Sequence, residues 1–66
     1  MGLRLGKRIV KFREERGWSQ EQLAERVGDL SRSHLGNIEA GHRDPSNRLL
    51  KDIARALRTT VEELEG

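Results

Sequence analysis

The chain has 66 residues, 36% of them charged, with 13 Lys and Arg against 11 Asp and Glu for a net charge of +2. A chain this short buries only about 60% of its unfolded surface on folding, which leaves little room for an enzyme cleft beside a core. The absence of cysteine excludes a disulfide framework, a thiolate metal site and a cysteine nucleophile.

No stretch approaches the roughly 20 apolar residues that span a bilayer. The basic start from Met1 to Val10 lacks the apolar region of a secretory signal, so a cytoplasmic location is the default expectation. Placement of charge says more than its total. Residues 1–16 carry six basic groups (Arg4, Lys7, Arg8, Lys11, Arg13 and Arg16) and two acids, whereas the last five residues carry Glu62, Glu63 and Glu65 and no base. One end is thereby expected to face phosphates and the other to avoid them, although an ordinary solvated surface accounts for the composition alone.

Five helical segments follow in chain order, with no strand signal and no repeat. The first runs from Leu3 to Arg16, with Leu5, Ile9 and Phe12 as an apolar stripe and Gly17 as its stop. The second is Gln20 to Val27. Ser19 and Gln22 have the spacing of a capping box, Trp18 and Leu23 that of a hydrophobic staple, and Gly28 ends the segment. The third spans Arg32 to Ala40, between Ser31 as N-cap and Gly41. The fourth, Asn47 to Leu57, is capped by Ser46 or by Asp44 with Pro45 in the first turn; Leu50, Ile53, Ala54 and Leu57 form its buried face. The fifth is Val61 to Glu65, with Thr60 and Glu63 spaced as a second capping box. Val61 and Leu64 extend the core or offer a contact surface. Short connections throughout predict an all-α, compact five-helix bundle in one domain, residues 1–66.

The segment from Gln20 to Ala40 carries the functional signal. Two short helices flank a tight turn, Gly28-Asp29-Leu30. Ala24 permits a close crossing, and Leu35 and Ile38 return the second helix to the core. At about 100° per residue, Arg32, Ser33, Gly36, Asn37 and Ala40 share one face, while His34, Leu35, Ile38 and Glu39 share the other. The first face has no large apolar side chain. Arg matches guanine O6 and N7, Asn matches adenine N6 and N7, and Ser serves either base. A polar outer face is common to amphipathic helices, so the small residues and the short turn are what point to groove reading.

The runs "WSQEQLAERVG", "LSRSHLGNIEAGHRDPS" and "LLKDIARALRTTVEEL" together resemble the phage-repressor and Cro type of helix-turn-helix, the XRE family. The resemblance covers roughly Leu5 to Leu64. It implies a lambda-repressor-like fold, with the helix-turn-helix at about 20–40 and the recognition helix at about 32–40. It further implies binding of double-stranded DNA, usually by a homodimer on a palindromic operator, in the prokaryotic cytosol and nucleoid. By matching motif, Arg32, Ser33, Asn37 and Gln20 are the expected base contacts. Ser19, His34, His42, Arg43, Asn47 and Arg48 are the expected backbone contacts, and Arg13 with Glu39 matches a buried ion pair. Two features depart from the family pattern. The turn around Asp29 is one residue longer, and Asn47 stands where an apolar residue is usual.

Alternatives weigh against single residues. Arg32 at a helix N-terminus opposes the macrodipole, which favours a functional reason over a solvated side chain. Ser33 serves the first turn equally well. Asn37 is a poor mid-helix former. His34, at the edge of the inward face, suits packing or a phosphate better than a metal, and His42 lies in a loop; two histidines without further ligands at metal spacing make no metal site. No catalytic constellation is present. No cofactor, membrane or small-molecule ligand is expected. The expected function is a transcriptional regulator, foremost a repressor. The rivals are an antitoxin or a restriction-system controller protein, and a protein-interaction module that would need an exposed apolar patch from Val61 and Leu64.

Overall fold

A computed structural model describes residues 2–66; Met1, at the head of the basic start, lies outside the described residues. The helices among the described residues are α1 Gly2–Glu15, α2 Gln20–Val27, α3 Arg32–Glu39, α4 Asn47–Ala56 and α5 Val61–Glu65. None is long and apolar enough to cross a membrane.

Four hydroxyl caps start α2 to α5. Ser19 Oγ accepts the Gln22 N–H at 3.1 Å while Gln22 Oε1 accepts the Ser19 N–H at 2.8 Å, closing the capping box. Ser31, Ser46 and Thr60 accept from the third residue of their helices, His34, Leu49 and Glu63, each at 3.1 Å. Ser46, not Asp44 with Pro45, therefore caps α4. At Thr60 only the hydroxyl half of the expected box is formed among the described residues. Each such cap contributes about 1 kcal/mol.

Three helices end in the same two-bond turn. In α1, Trp18 N–H reaches Arg13 O at 3.1 Å and Gly17 N–H reaches Glu14 O at 3.0 Å; in α3, His42 N–H reaches Asn37 O at 2.9 Å and Gly41 N–H reaches Ile38 O at 3.1 Å. The pivot is left-handed, with φ 72° at Gly17 and 83° at Gly41. Gly41 is needed twice over, because a methyl there would also stand 3.0 Å from Leu3 Cα. In α4 the same turn pivots on Arg58 at φ 56°, with Thr59 N–H on Ala54 O at 2.9 Å.

The fully buried large side chains, Ile9, Leu23, Leu35, Ile38, Ile53, Leu57 and Leu64, come from every helix. The helices close a ring: α1 packs on α3 and α5, α2 packs on α3 and α4, and α4 packs on α5. Leu64 lies in this core at 0% exposure, so it supplies no contact surface; Val61 is half-buried against the core. The apolar patch that a protein-interaction module requires on α4 and α5 is thus not formed by these two residues.

The buried face of α1 is rotated from the expected stripe. Ile9 is buried, but Leu5 and Phe12 only flank the core. Gly6 and Arg13 meet α3, at i and i+7, with buried Ile9 between them. Gly6 allows the approach, since a methyl built on it would lie 2.2 Å from Glu39 O.

The basic run of α1 is largely consumed inside the molecule, contrary to the expectation that it faces phosphates. Arg8 donates from Nε and a terminal nitrogen to Glu63 O at 3.1 and 2.6 Å, and Arg4 donates to Gly66 O. These cations complement the carbonyl end of acidic α5. Arg13 pairs with Glu39, and Arg16 donates to Phe12 O at 2.8 Å. Lys7 and Lys11 remain exposed.

Gly6→Ala gives a sign test of the α1–α3 approach. In a solvated helix this change stabilises by about 1 kcal/mol. Here the new methyl has only the Glu39 backbone to displace, so a loss of about 1–3 kcal/mol is expected in urea denaturation. A gain in stability would contradict the close packing.

Candidate nucleic-acid interface

α3 presents a short, mostly polar face. Leu35 and Ile38 are fully buried and Glu39 is 7% exposed, whereas Arg32, Ser33, His34, Asn37 and Ala40 are exposed. The face differs from the one expected by a partial turn. Gly36, on the outer side by its position on the helical wheel, is half-buried, and the Gln20 side chain lies over it, 3.7 Å from the position of a methyl on Gly36. His34, at the edge of the inner side on the wheel, stands in solvent. Asn37 is therefore at the middle of the open face, with Ser33 and His34 beside it.

Glu39 accepts from Arg13 Nε at 2.8 Å and from an Arg13 terminal nitrogen at 3.1 Å, a two-pronged pair with 11% and 4% side-chain exposure. The third Arg13 donor bonds Trp18 O at 2.8 Å. Gln20 Nε2 donates to Glu39 Oε1 at 2.8 Å. A carboxylate only accepts, so Gln20 turns an N–H inward and keeps its carbonyl oxygen and second N–H for other partners. Sequence reasoning assigned Gln20 to a base contact and missed this anchoring; the signal was a long amide four residues before small Ala24, where α2 crosses α3.

The turn between α2 and α3 is held by Gly28, at φ 99°, and by Leu30, which drops into the core at 8% exposure. The additional turn residue thus ends in an apolar anchor, and Ser31 begins α3 directly after it.

The segment after α3 is tied to the helix. Asn37 O accepts both the His42 N–H at 2.9 Å and the Arg43 N–H at 3.3 Å. The exposed side chains of His42 and Arg43 are thereby carried on the same residue whose amide occupies the open face. Asn47 and Arg48, in the first turn of α4, are exposed, as is Ser19 at the start of α2. Asn47 packs no core at a position usually apolar. Among the described residues, no three His, Asp or Glu gather at metal-binding distance.

Comparison with known proteins gives a consistent family. The helix-turn-helix family model matches residues 9–64. The chain is 42% identical over 59 residues to YazB, an HTH-type transcriptional regulator of Bacillus subtilis, covering 89% of this chain and 84% of the relative. It is 42% identical over 62 residues to the immunity repressor of Bacillus phage phi105, covering 94% of this chain but 42% of that repressor. The crystal structure of the restriction-modification controller protein C.AhdI from Aeromonas hydrophila superposes with a TM-score of 0.90 at 36% identity, covering 96% of this chain and 94% of that one. The fold is thus that of helix-turn-helix regulators, and neither named relative nor controller protein is an enzyme by description.

Glu39→Leu should cost about 3 kcal/mol, because it strands the Arg13 guanidinium in a largely buried site. Adding Arg13→Met should recover part of that loss, since two apolar groups leave no unpaired charge. Urea denaturation of the two single variants and the double variant measures the coupling; additive losses would show that the pair does not act as a unit.

Proposed function

The chain belongs to the helix-turn-helix family, and on that premise we propose that it represses transcription by reading the major groove of a double-stranded palindromic operator with α3. The observation that carries the proposal is the open face of α3, polar and without a large apolar side chain, fixed from behind by Leu35, Ile38 and the Glu39 carboxylate. Arg32, Ser33 and Asn37 are the base readers, because their donors and acceptors match base edges. Gln20 joins them through the amide groups that Glu39 leaves free.

Affinity comes from the phosphates. Ser19, His34, His42, Arg43, Asn47 and Arg48 serve this role, all exposed around α3. Free N–H groups in the first turns of α2 and α4 add to them. With Arg4, Arg8, Arg13 and Arg16 engaged internally, the salt dependence falls mainly on Arg32, Arg43 and Arg48. Residues 1–66 act as one DNA-binding domain, with the helix-turn-helix at 20–40. A homodimer sets two α3 helices about 34 Å apart on successive major grooves, and doubles an interface that one small module leaves modest. The similar bacterial and phage proteins support a setting in prokaryotic cytoplasm.

The structural similarity to the controller protein supports a second reading, a regulator of restriction-modification genes; the two readings share the DNA interface and differ in the genes controlled.

Selection of bound sites from a random duplex pool tests the proposal. It should return a palindrome with half-sites about 10 base pairs apart. An unenriched pool would sink sequence-specific binding. On the selected site, Asn37→Ala should cost about 1–3 kcal/mol and relax preference at one position per half-site, whereas Arg43→Ala should weaken all sequences alike and lower the salt slope by about 1. Equal loss on every sequence for Asn37→Ala would remove it from the base readers.

A further inference from the structure

A second charged site lies outside the candidate DNA interface. The ends of α1, α2 and α4 enclose a groove of about 800 Å³ lined by Arg16, Trp18, Arg26, Arg55, Arg58 and Asp52, with Val27 and Ala56 as apolar floor. It shares no residue with the proposed DNA contacts. On α4 it uses the C-terminal half, with Arg55 about 10 Å along the axis from Arg48.

Helix C-termini favour nearby cations, and that accounts for some of this charge. Three observations exceed it. First, no carboxylate pairs with any of the four guanidiniums among the described residues, although Asp52 lies in the same groove. Second, the Arg26 guanidinium lies over the Trp18 ring, 4.1 Å from its centre, which brings a guanidinium and a half-buried indole together on one surface. Third, Arg58 takes the left-handed pivot of α4 at φ 56°, where the corresponding turns of α1 and α3 use glycine. Glycine adopts that conformation without the steric penalty, so the Arg58 side chain is retained at a cost to the fold.

We infer that this groove docks an acidic segment of a partner protein, carrying carboxylates beside an apolar side chain. Trp and Arg are the residues enriched in interface hot spots, and a guanidinium grips a carboxylate through two parallel bonds, as lysine does not. Val27, Ala56 and the indole of Trp18 supply the apolar contact that a bare inorganic anion does not use. The site is independent of the DNA reading, since a duplex held through Arg32, Ser33 and Asn37 occupies none of these residues.

The test is a titration of isotope-labelled protein, saturated with duplex DNA, with an acetylated peptide of repeating Glu-Glu-Leu units, followed by NMR. The Trp18 indole N–H and the amides of Arg26, Val27 and Arg55 to Arg58 should shift saturably. Arg26→Glu and Arg58→Glu should each weaken peptide binding by about tenfold or more, with duplex affinity and helix content unchanged. Asp52→Asn, which removes the one acid in the groove, should tighten it and needs no loss of fold to be read. The inference is overturned if the groove resonances do not move, if the Arg variants bind equally well, or if Asp52→Asn weakens binding. Pyrophosphate giving the same shifts at the same concentration would make this a simple anion pocket. A change in sedimenting mass for Arg26→Glu or Arg58→Glu would make the occupant a second copy of the chain. Either result also overturns the inference.

Discussion

The orientation of α3 depends on one buried carboxylate. Glu39 joins three otherwise separate parts of the chain: α1 through Arg13, the α1–α2 connection through Arg13 to Trp18 O, and α2 through Gln20. Burying an unpaired carboxylate is prohibitive, and a pair repays its desolvation only with good geometry and further hydrogen bonds. Both conditions hold here, with three donors on two oxygens. The hydrophobic core is not directional in this way. Leu35 and Ile38 would tolerate small rotations of α3 at little cost in buried area, but a carboxylate that must meet a planar guanidinium on one side and an amide on the other permits one rotation. Specificity in a reading helix needs that restriction, because a turn of a fraction of a residue changes which side chain meets a base.

The same group explains what sequence reasoning found and what it missed. Helix starts were legible at Ser19, Ser31, Ser46 and Thr60, since a hydroxyl three residues ahead of an unpaired N–H is a local relation. The apolar positions that build the core, including Leu23, Ile53 and Leu57, were legible by period. The inward side of α3 was legible too: the wheel sets Glu39 with Leu35 and Ile38, and the family resemblance pairs it with Arg13, 26 residues away. The Gln20 bond to the same carboxylate has no such signal. Gly36 looks like open groove-facing backbone until Gln20, 16 positions earlier, is laid across it. Gly6 carries no apolar side chain to mark it as part of the α1 face, so the apolar period alone points to Leu5 and Phe12 instead.

Long-range pairing also decides where the positive field lies. The basic run in residues 1–16 reads as a phosphate-facing end when charges are counted along the chain. In the fold, Arg4 and Arg8 reach residues 62 and 55 positions away to terminate α5. An acidic helix of five residues cannot hold its own carbonyl end, and the arginines of α1 supply what it lacks. The charge left exposed near α3 is smaller than composition suggests and is concentrated at Arg32, Arg43 and Arg48. A duplex is therefore met by few charges in fixed positions rather than by a diffuse basic surface, which shifts the balance of binding from non-specific attraction toward the base contacts.

Helix polarity sorts the rest of the surface. The first turns of α2 and α4, capped by Ser19 and Ser46, lie with the residues proposed to meet phosphate, and their partial positive charge suits that partner. A helix that turns its N-terminus to one surface must turn its carbonyl end elsewhere, and the ends of α2 and α4 meet that of α1 in a groove that needs cations. Arg26 and Arg55, in the last turns of α2 and α4, meet this need directly. Arg58 does not have to: it is already past the helix, and a glycine would close the turn as Gly17 and Gly41 do. Its presence at a left-handed position separates the charge that the fold requires from the charge that the fold merely tolerates, and it is the latter that calls for a partner outside the chain.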